Sequence, residues 1–332
     1  MKCFPDSFLS VQRPRMTYTI ALISPEEKET LAVHYMEKVR YEIKAEIYGC
    51  CIKLLTDDHT FMGTWQENFY SMSQNVRSHG RLFVFSDPGY PPDTVLFDPY
   101  TKTAFLLNIR YYGWIKSIAL SCAGDVLEDQ HGINSVHGAC IDIDGRGLCI
   151  IGPSGAGKTT QTYGLLSDPR VRVVADDWFF TRVFDRDILG FGSERNFYIR
   201  QDLETIWTEF GGMVRADEYD ADGRAVADIR WVLGKGRLIP LTTLRTVIIL
   251  KRDPTDPVVA KQMDPSEGSE MFSRYGYFNP HLLVRDARKT AIRDRFIGNL
   301  LDSAPLFMVN TTGTPSATQE EIRKIIRMEK SG

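Results

Sequence analysis

The chain has 332 residues, 43% of them hydrophobic and 25% charged, the balance of a soluble globular protein long enough for one large or two ordinary domains. A formal net charge of −3 argues against nucleic acid or an anionic membrane surface as a general partner. No apolar run approaches the ~20 residues of a membrane span.

Ser24 reads as an N-cap ahead of Pro25, and the charged stretch from Pro25 to about Lys44 predicts a helix. Strand-like runs follow at Ala45–Cys50, Arg81–Phe85 and Thr103–Leu107, with the turn-rich segment Asp87–Asp93 between the last two. Residues 1–130 therefore read as an N-terminal region, mostly β or mixed α/β, with no chemical motif of its own; acceptor recognition is one expectation for it. From about Asp125 to Asn134 the chain is polar. Val136–Ile143 then predicts a strand, Asp144-Gly145-Arg146-Gly147 a hairpin turn, and Leu148–Ile151 a second strand. Further strands are expected at Val171–Ala175, Phe179–Phe184, Arg245–Leu250 and Leu306–Val309, and a closing helix at Thr318–Met328. Mixed in this way, they predict an α/β fold: a mixed sheet with flanking helices over residues 131–332, preceded by the smaller N-terminal region.

The segment Gly152-Pro153-Ser154-Gly155-Ala156-Gly157-Lys158-Thr159 matches G-x-x-x-x-G-K-[ST] between a predicted strand and a predicted helix starting at Thr159-Thr160. Glycines there let successive backbone N–H groups turn inward on phosphates, Lys158 reaches the β- and γ-phosphates, and the Thr159 hydroxyl is placed to ligate Mg²⁺. A nucleotide, ATP, is thus the expected ligand, with Mg²⁺ beside it. Asp176-Asp177 ends a neighbouring predicted strand. Side chains alternate along a strand, so one carboxylate can serve the metal while the other faces an acceptor hydroxyl as general base. The six cysteines show no C-x-x-C pairing, Met1–Asp6 lacks a signal peptide's apolar stretch, and an ATP-containing compartment is normally reducing, so a cytoplasmic location is expected.

Val136-His137-Gly138, the Asp144-Gly145-Arg146-Gly147 hairpin, the Gly152–Thr159 loop and Val174-Ala175-Asp176-Asp177 together resemble the C-terminal catalytic domain of HPr kinase/phosphorylase. They are also similar to the wider group of kinases that share a core with the phosphoenolpyruvate carboxykinases. The resemblance spans about residues 134–180. It implies that Asp177 accepts the proton of the attacking hydroxyl, that Asp176 and Thr159 attend the metal, and that Lys158 and His137 surround the phosphates. It also points to a homo-oligomer. The family's second signature is not present in recognisable form; the nearest stretch is Gly192–Arg200. There Glu194 can supply a further metal carboxylate and Arg195 or Arg200 can stabilise phosphoryl charge, or the segment is an exposed ion-pairing loop.

Arg245, Lys251 and Arg252 flank a predicted strand and either reach phosphate or are solvated strand ends. Tyr275, Tyr277 and Phe278 with Asn279-Pro280-His281 either line an adenine pocket or, more readily, pack in the core. Taken together, an ATP- and Mg²⁺-dependent kinase is expected, transferring the γ-phosphoryl group to a hydroxyl of a protein serine or a small metabolite. Two alternatives stand beside it. One is a carboxykinase-like enzyme, which would need histidine and lysine ligands for a transition metal, where only His131 offers a second histidine close to the loop in sequence. The other is a nucleotide-sensing module with slow hydrolysis.

Overall fold

Ser24 caps the first helix through a reciprocal pair: its hydroxyl accepts from the Glu27 N–H at 3.2 Å, and the Glu27 carboxylate accepts from the Ser24 N–H at 2.8 Å. The computed structural model describes residues 18–331 apart from 186, 213 and 276–278. Strand β1 (Thr19–Leu22) precedes this helix, α1 (Pro25–Met36). The helix stops eight residues short of the predicted Lys44, because the apolar period changes from helical to alternating: Tyr41, Ile43, Ala45 and Ile47 belong to strand β2 (Tyr41–Ile47). The predicted strand Ala45–Cys50 is likewise two strands. Tyr48 (φ 44°) and Gly49 (φ 79°) form a two-residue hairpin turn with both φ values positive, and β3 (Cys50–Thr56) begins behind it.

The N-terminal half continues through α2 (His59–Asn68), β4 (Tyr70–Ser71), β5 (Gly80–Phe85), β6 (Thr94–Asp98) and β7 (Thr103–Leu107). These strands form one mixed sheet in the order β1-β6-β7-β5-β3-β2-β4. Next comes α3 (Tyr112–His131), which the sequence reading missed. Almost every residue from Tyr112 to Glu128 is buried, so its sequence carries no polar stripe to betray a helical period. It packs against β3, β5 and β7 of the first sheet and against the first strand of the second.

That second sheet is built from β8 (Asn134–Ile143), β9 (Arg146–Ile151), β10 (Val171–Ala175), β11 (Trp178–Phe184) and β12 (Asp187–Gly192), with α4 (Lys158–Leu166) between β9 and β10. A two-stranded excursion follows, β13 (Phe197–Arg200) and β14 (Arg224–Ala227), with the short helices α5 (Leu203–Ile206) between them and α6 (Arg230–Leu233) after them. The chain returns through β15 (Leu241–Lys251), β16 (Ala260–Met263), α7 (Pro265–Tyr275), α8 (Ala287–Asp302), β17 (Leu306–Asn310) and α9 (Pro315–Ser331). The protein is therefore a mixed α/β structure with mixed sheets and flanking helices.

Long strand β8 is the organiser of this half. Its first part pairs with β11, its second with β9 on one side and β10 on the other. Pairing runs on from β11 to β12 to β15 to β9 and back to β8, closing a ring. Strands β9, β15 and β17 of this sheet are parallel, with Ile249 opposite Ile151 and Lys251 opposite Asn310. Their carboxyl ends share one edge, the place where open parallel sheets bind ligands. The five cysteines among the described residues are buried and free.

Helix α3 is tied to α8 by a buried ionic cluster. Lys289, 1% exposed, lies 2.8 Å from Asp125, 2.6 Å from Glu128 and 2.8 Å from Asp129, and Arg293 chelates Glu128 at 2.8 and 3.0 Å. Removing the central cation strands buried carboxylates. Lys289→Met should lower the unfolding free energy by about 3 kcal/mol, read as a fall in the urea midpoint; an unchanged midpoint would show that the cluster is not holding α8 to α3.

Candidate active site

Strand β9 delivers the chain into the loop 152–157, and Gly157, at φ 93° in the left-handed region, turns it into α4. Lys158 opens that helix. Its Nζ is folded onto the loop itself, donating to the carbonyls of Gly152 at 2.9 Å and Pro153 at 3.4 Å. Burial lowers its pKa, with Asp177 pulling the other way. The loop floors a cleft of about 610 Å³. Ser154, Gly155, Ala156, Gly157, Lys158, Thr159 and Thr160 all line it, as do Asp177 and His137. Gly152 and Pro153 lie behind, as the acceptors for Lys158.

Asp177 follows β10 and its side chain is 39% exposed. His137 Nε2 is 3.3 Å from its Oδ1, and Lys116 Nζ is 3.2 Å from its Oδ2. Burial alone would raise this carboxyl, but Lys116 and His137 hold it well below the usual carboxylate range, so it stands ionised. Asp176, next to it, points the other way. It is 2% exposed, does not line the cleft, and burial followed by the neighbouring Asp177 charge drives its pKa well up.

Lys116 was not foreseen. It sits on α3, 3% exposed, and its ammonium bridges Asp177 to Glu194 at 3.2 Å each. Burial opposes its charge, but Glu194 and Asp177 raise its pKa above the ordinary lysine value. Glu194 is fixed from its other side by Asn68 Nδ2 at 2.8 Å, and Asn68 accepts from the Tyr112 hydroxyl at 3.0 Å. Helices α2 and α3 of the N-terminal half thus reach into the site. A lone charge in the apolar run Trp114-Ile115-Lys116-Ser117-Ile118 was the signal available in the sequence.

Glu194 is therefore brought to Asp177 through a lysine and not as an open ligand. Arg195 is not brought there: it lines a second cleft of about 810 Å³ with Tyr70, Arg230 and the 86% exposed Trp231. Arg200 does line the loop's cleft, pairing with Asp202 at 3.0 Å. Of the basic residues around β15, Arg252 lines the cleft, Lys251 is paired with Asp256, and Arg245 is paired with Asp187 at 2.7 Å on the surface.

Pro280 and His281 also line the cleft, whereas the Tyr275 side chain and residues Tyr277 and Phe278 fall outside the described positions. His281 supplies the second histidine that sequence distance concealed, its ring 6.1 Å from that of His137. Its Nδ1 is held by the Tyr18 hydroxyl at 2.5 Å, and burial, then His137, push its pKa down to about 3. Burial and the Lys158 charge lower His137 as well, so both imidazoles are neutral.

For a divalent cation the cleft offers the Thr159 hydroxyl, whereas the Asp176 carboxyl, expected beside it, does not line the cleft. Among the described residues no group of three or more His, Cys, Asp or Glu side chains could hold a metal unaided. Mg²⁺ keeps several waters and takes the substrate's phosphates with one or two protein oxygens, a role that the Thr159 hydroxyl fits and the buried Asp176 carboxyl does not. If Lys116 is the common counter-charge, Lys116→Met should cost about 3 kcal/mol of stability, and adding Glu194→Gln should return part of it. Thermal unfolding of the single and double variants checks this, and additive losses would count against the bridge.

No family model and no curated protein matches the sequence. Among solved structures the chain is similar to the Hpr(Ser) kinase/phosphatase from Coxiella burnetii, at 12% identity and a TM-score of 0.35, over 60% of this chain and 99% of that one. Among the described residues no helix is long and apolar enough to cross a membrane.

Proposed function

We propose that the protein is an ATP- and Mg²⁺-dependent kinase that moves the γ-phosphoryl group to an alcohol. The observation that carries this reading is Asp177: an ionised, part-exposed carboxylate in the cleft of a Gly152–Thr159 loop, held by Lys116 and His137. A generic nucleotide binder has no need of a carboxylate aimed at the space beside the phosphates. In the reaction the acceptor oxygen attacks the γ-phosphorus and its proton passes to an Asp177 oxygen. The new O–P bond forms as the bond to the β,γ-bridging oxygen breaks, and ADP leaves with that electron pair.

The chain's own groups supply the positioning. Loop N–H groups and Lys158, released from the Gly152 carbonyl, take the phosphate oxygens. Arg252, at the end of β15, adds positive charge on the same side. Thr159 would hold Mg²⁺ together with the substrate's phosphates, and the ion when bound would neutralise phosphate charge. Glu194 and Lys116 set the direction of Asp177, and the neutral His137 keeps the second carboxylate oxygen occupied. Proximity and fixed electrostatics of this kind are most of what phosphoryl transfer asks of a protein.

The His137–His281 pair favours a second reading, a carboxykinase-like reaction on a carboxylate-bearing metabolite, since neutral imidazoles are metal ligands. Product analysis separates the two: a phosphate ester from an added alcohol, or release of CO₂. Two substitutions test the leading reading. Lys158→Ala should abolish ADP formation, and undiminished turnover would remove the loop from the reaction. Asp177→Asn should leave displacement of a fluorescent ATP analogue nearly intact while lowering kcat by about 10²–10⁴-fold, the range for a lost general base. Loss of binding with unchanged kcat would show that Asp177 is not the base.

A further inference from the structure

We infer that the acceptor alcohol carries an anionic group and that Arg224, seated over the rings of Tyr111 and Tyr198, receives it. This rests on the phosphoryl-transfer reading above and names the substrate class for the same site.

Tyr111, Tyr198 and Arg224 line the same cleft as Asp177 and the Gly152–Thr159 loop. The guanidinium carbon of Arg224 is 5.5 Å from the Tyr111 ring centroid and 5.8 Å from that of Tyr198, and the two rings are 5.9 Å apart. The other arginines of this excursion have carboxylates: Arg200 pairs with Asp202, Arg215 with Asp217 and Arg230 with Asp228. Arg224 has no such ion pair among the described residues. Asp222, the acidic residue nearest in sequence, makes no ion pair with it among the described residues, and Asp220 is already committed. Its carboxylate accepts from the Tyr198 hydroxyl and from the backbone N–H groups of Asp222 and Arg224, each of the latter at 2.9 Å.

An arginine stacked on aromatic faces is held in orientation while its N–H edge stays open, and that edge matches a carboxylate or phosphate in two-point fashion. Tyr111 is within the field of Arg224, Lys116 and Asp177, and all four line the one cleft. A small molecule whose hydroxyl lies at Asp177 can therefore place a second group near Arg224. With Lys158 and Arg252 at the loop, the donor phosphates have cations of their own. A hydroxy acid and the terminal carboxylate of a serine-ending peptide present the same chemistry.

The test uses the full chain with Mg²⁺ and ATP and follows ADP formation with matched acceptors: glycerate against glycerol, L-serine against ethanolamine, and a serine-ending peptide with a free against an amidated carboxyl terminus. The carboxylate-bearing member of at least one pair should exceed the partner that lacks that carboxylate by about tenfold or more in kcat/KM, the scale of one charge-assisted contact. Which pair responds tells a free hydroxy acid from a peptide end. Arg224→Gln should reduce the carboxylate-bearing member by about tenfold more than its partner, mainly through KM, and Arg224→Lys should recover part of that.

The inference is overturned if no pair favours its carboxylate-bearing member, if Arg224→Gln lowers both members alike, or if it weakens displacement of the fluorescent ATP analogue instead. Failure of the kinase reading registers separately, as wild-type and Lys158→Ala chains binding that analogue equally.

Discussion

A buried ammonium between two carboxylates is the constraint on which the site depends. Lys116 cannot stay charged at 3% exposure without Asp177 and Glu194, and they would repel one another without it. The three groups come from α3, from the end of β10 and from the segment after β12. Satisfying one ion pair therefore fixes the long helix of the N-terminal half against the second sheet. Asn68 and Tyr112 extend the fix by hydrogen bonds, and the Lys289 cluster repeats the same device at the other end of α3. Each alone leaves the helix able to slide or tilt, whereas both together do not.

Against this frame the second sheet supplies direction. Three parallel strands end at one edge, and each passes to a segment that lines the cleft: the Gly152–Thr159 loop after β9, Arg252 after β15, and Thr311 after β17. Strand β8 carries His137 to the same place because its pairing changes there, from β11 to β9 and β10. The Gly138 N–H donates to the Asp177 carbonyl at 2.8 Å, so the backbone holds His137 and Asp177 in register. The loop's own carbonyls occupy Lys158, which keeps a buried cation satisfied.

What could be read from the sequence was what is local. The Ser24 cap, the Asp144-Gly145 turn and the strand–loop–helix around Gly152–Thr159 are decided by neighbours within a few residues, and the structure has them in place. The errors came where period or distance decides. Tyr48-Gly49 lacks the usual turn residues at its first position, so a hairpin was taken for a strand, and α3 is too evenly buried to show a face. Lys116, Asn68, Arg224 and His281 lie far from the loop in sequence, and nothing local says that they meet it. Glu194 was noticed for its charge, but its partner could only be learned from the fold.

The position of α3 bears on how such a chain can change over generations. The helix falls before residue 132, ahead of every recognisable motif, yet it holds the lysine that steadies Asp177. A recombination joint placed between the two sheets would hand the descendant a loop and an acidic pair without their counter-charge. A joint upstream of Tyr111 would keep that helix with Asp177, and would still part Asn68 of α2 from the Glu194 it holds.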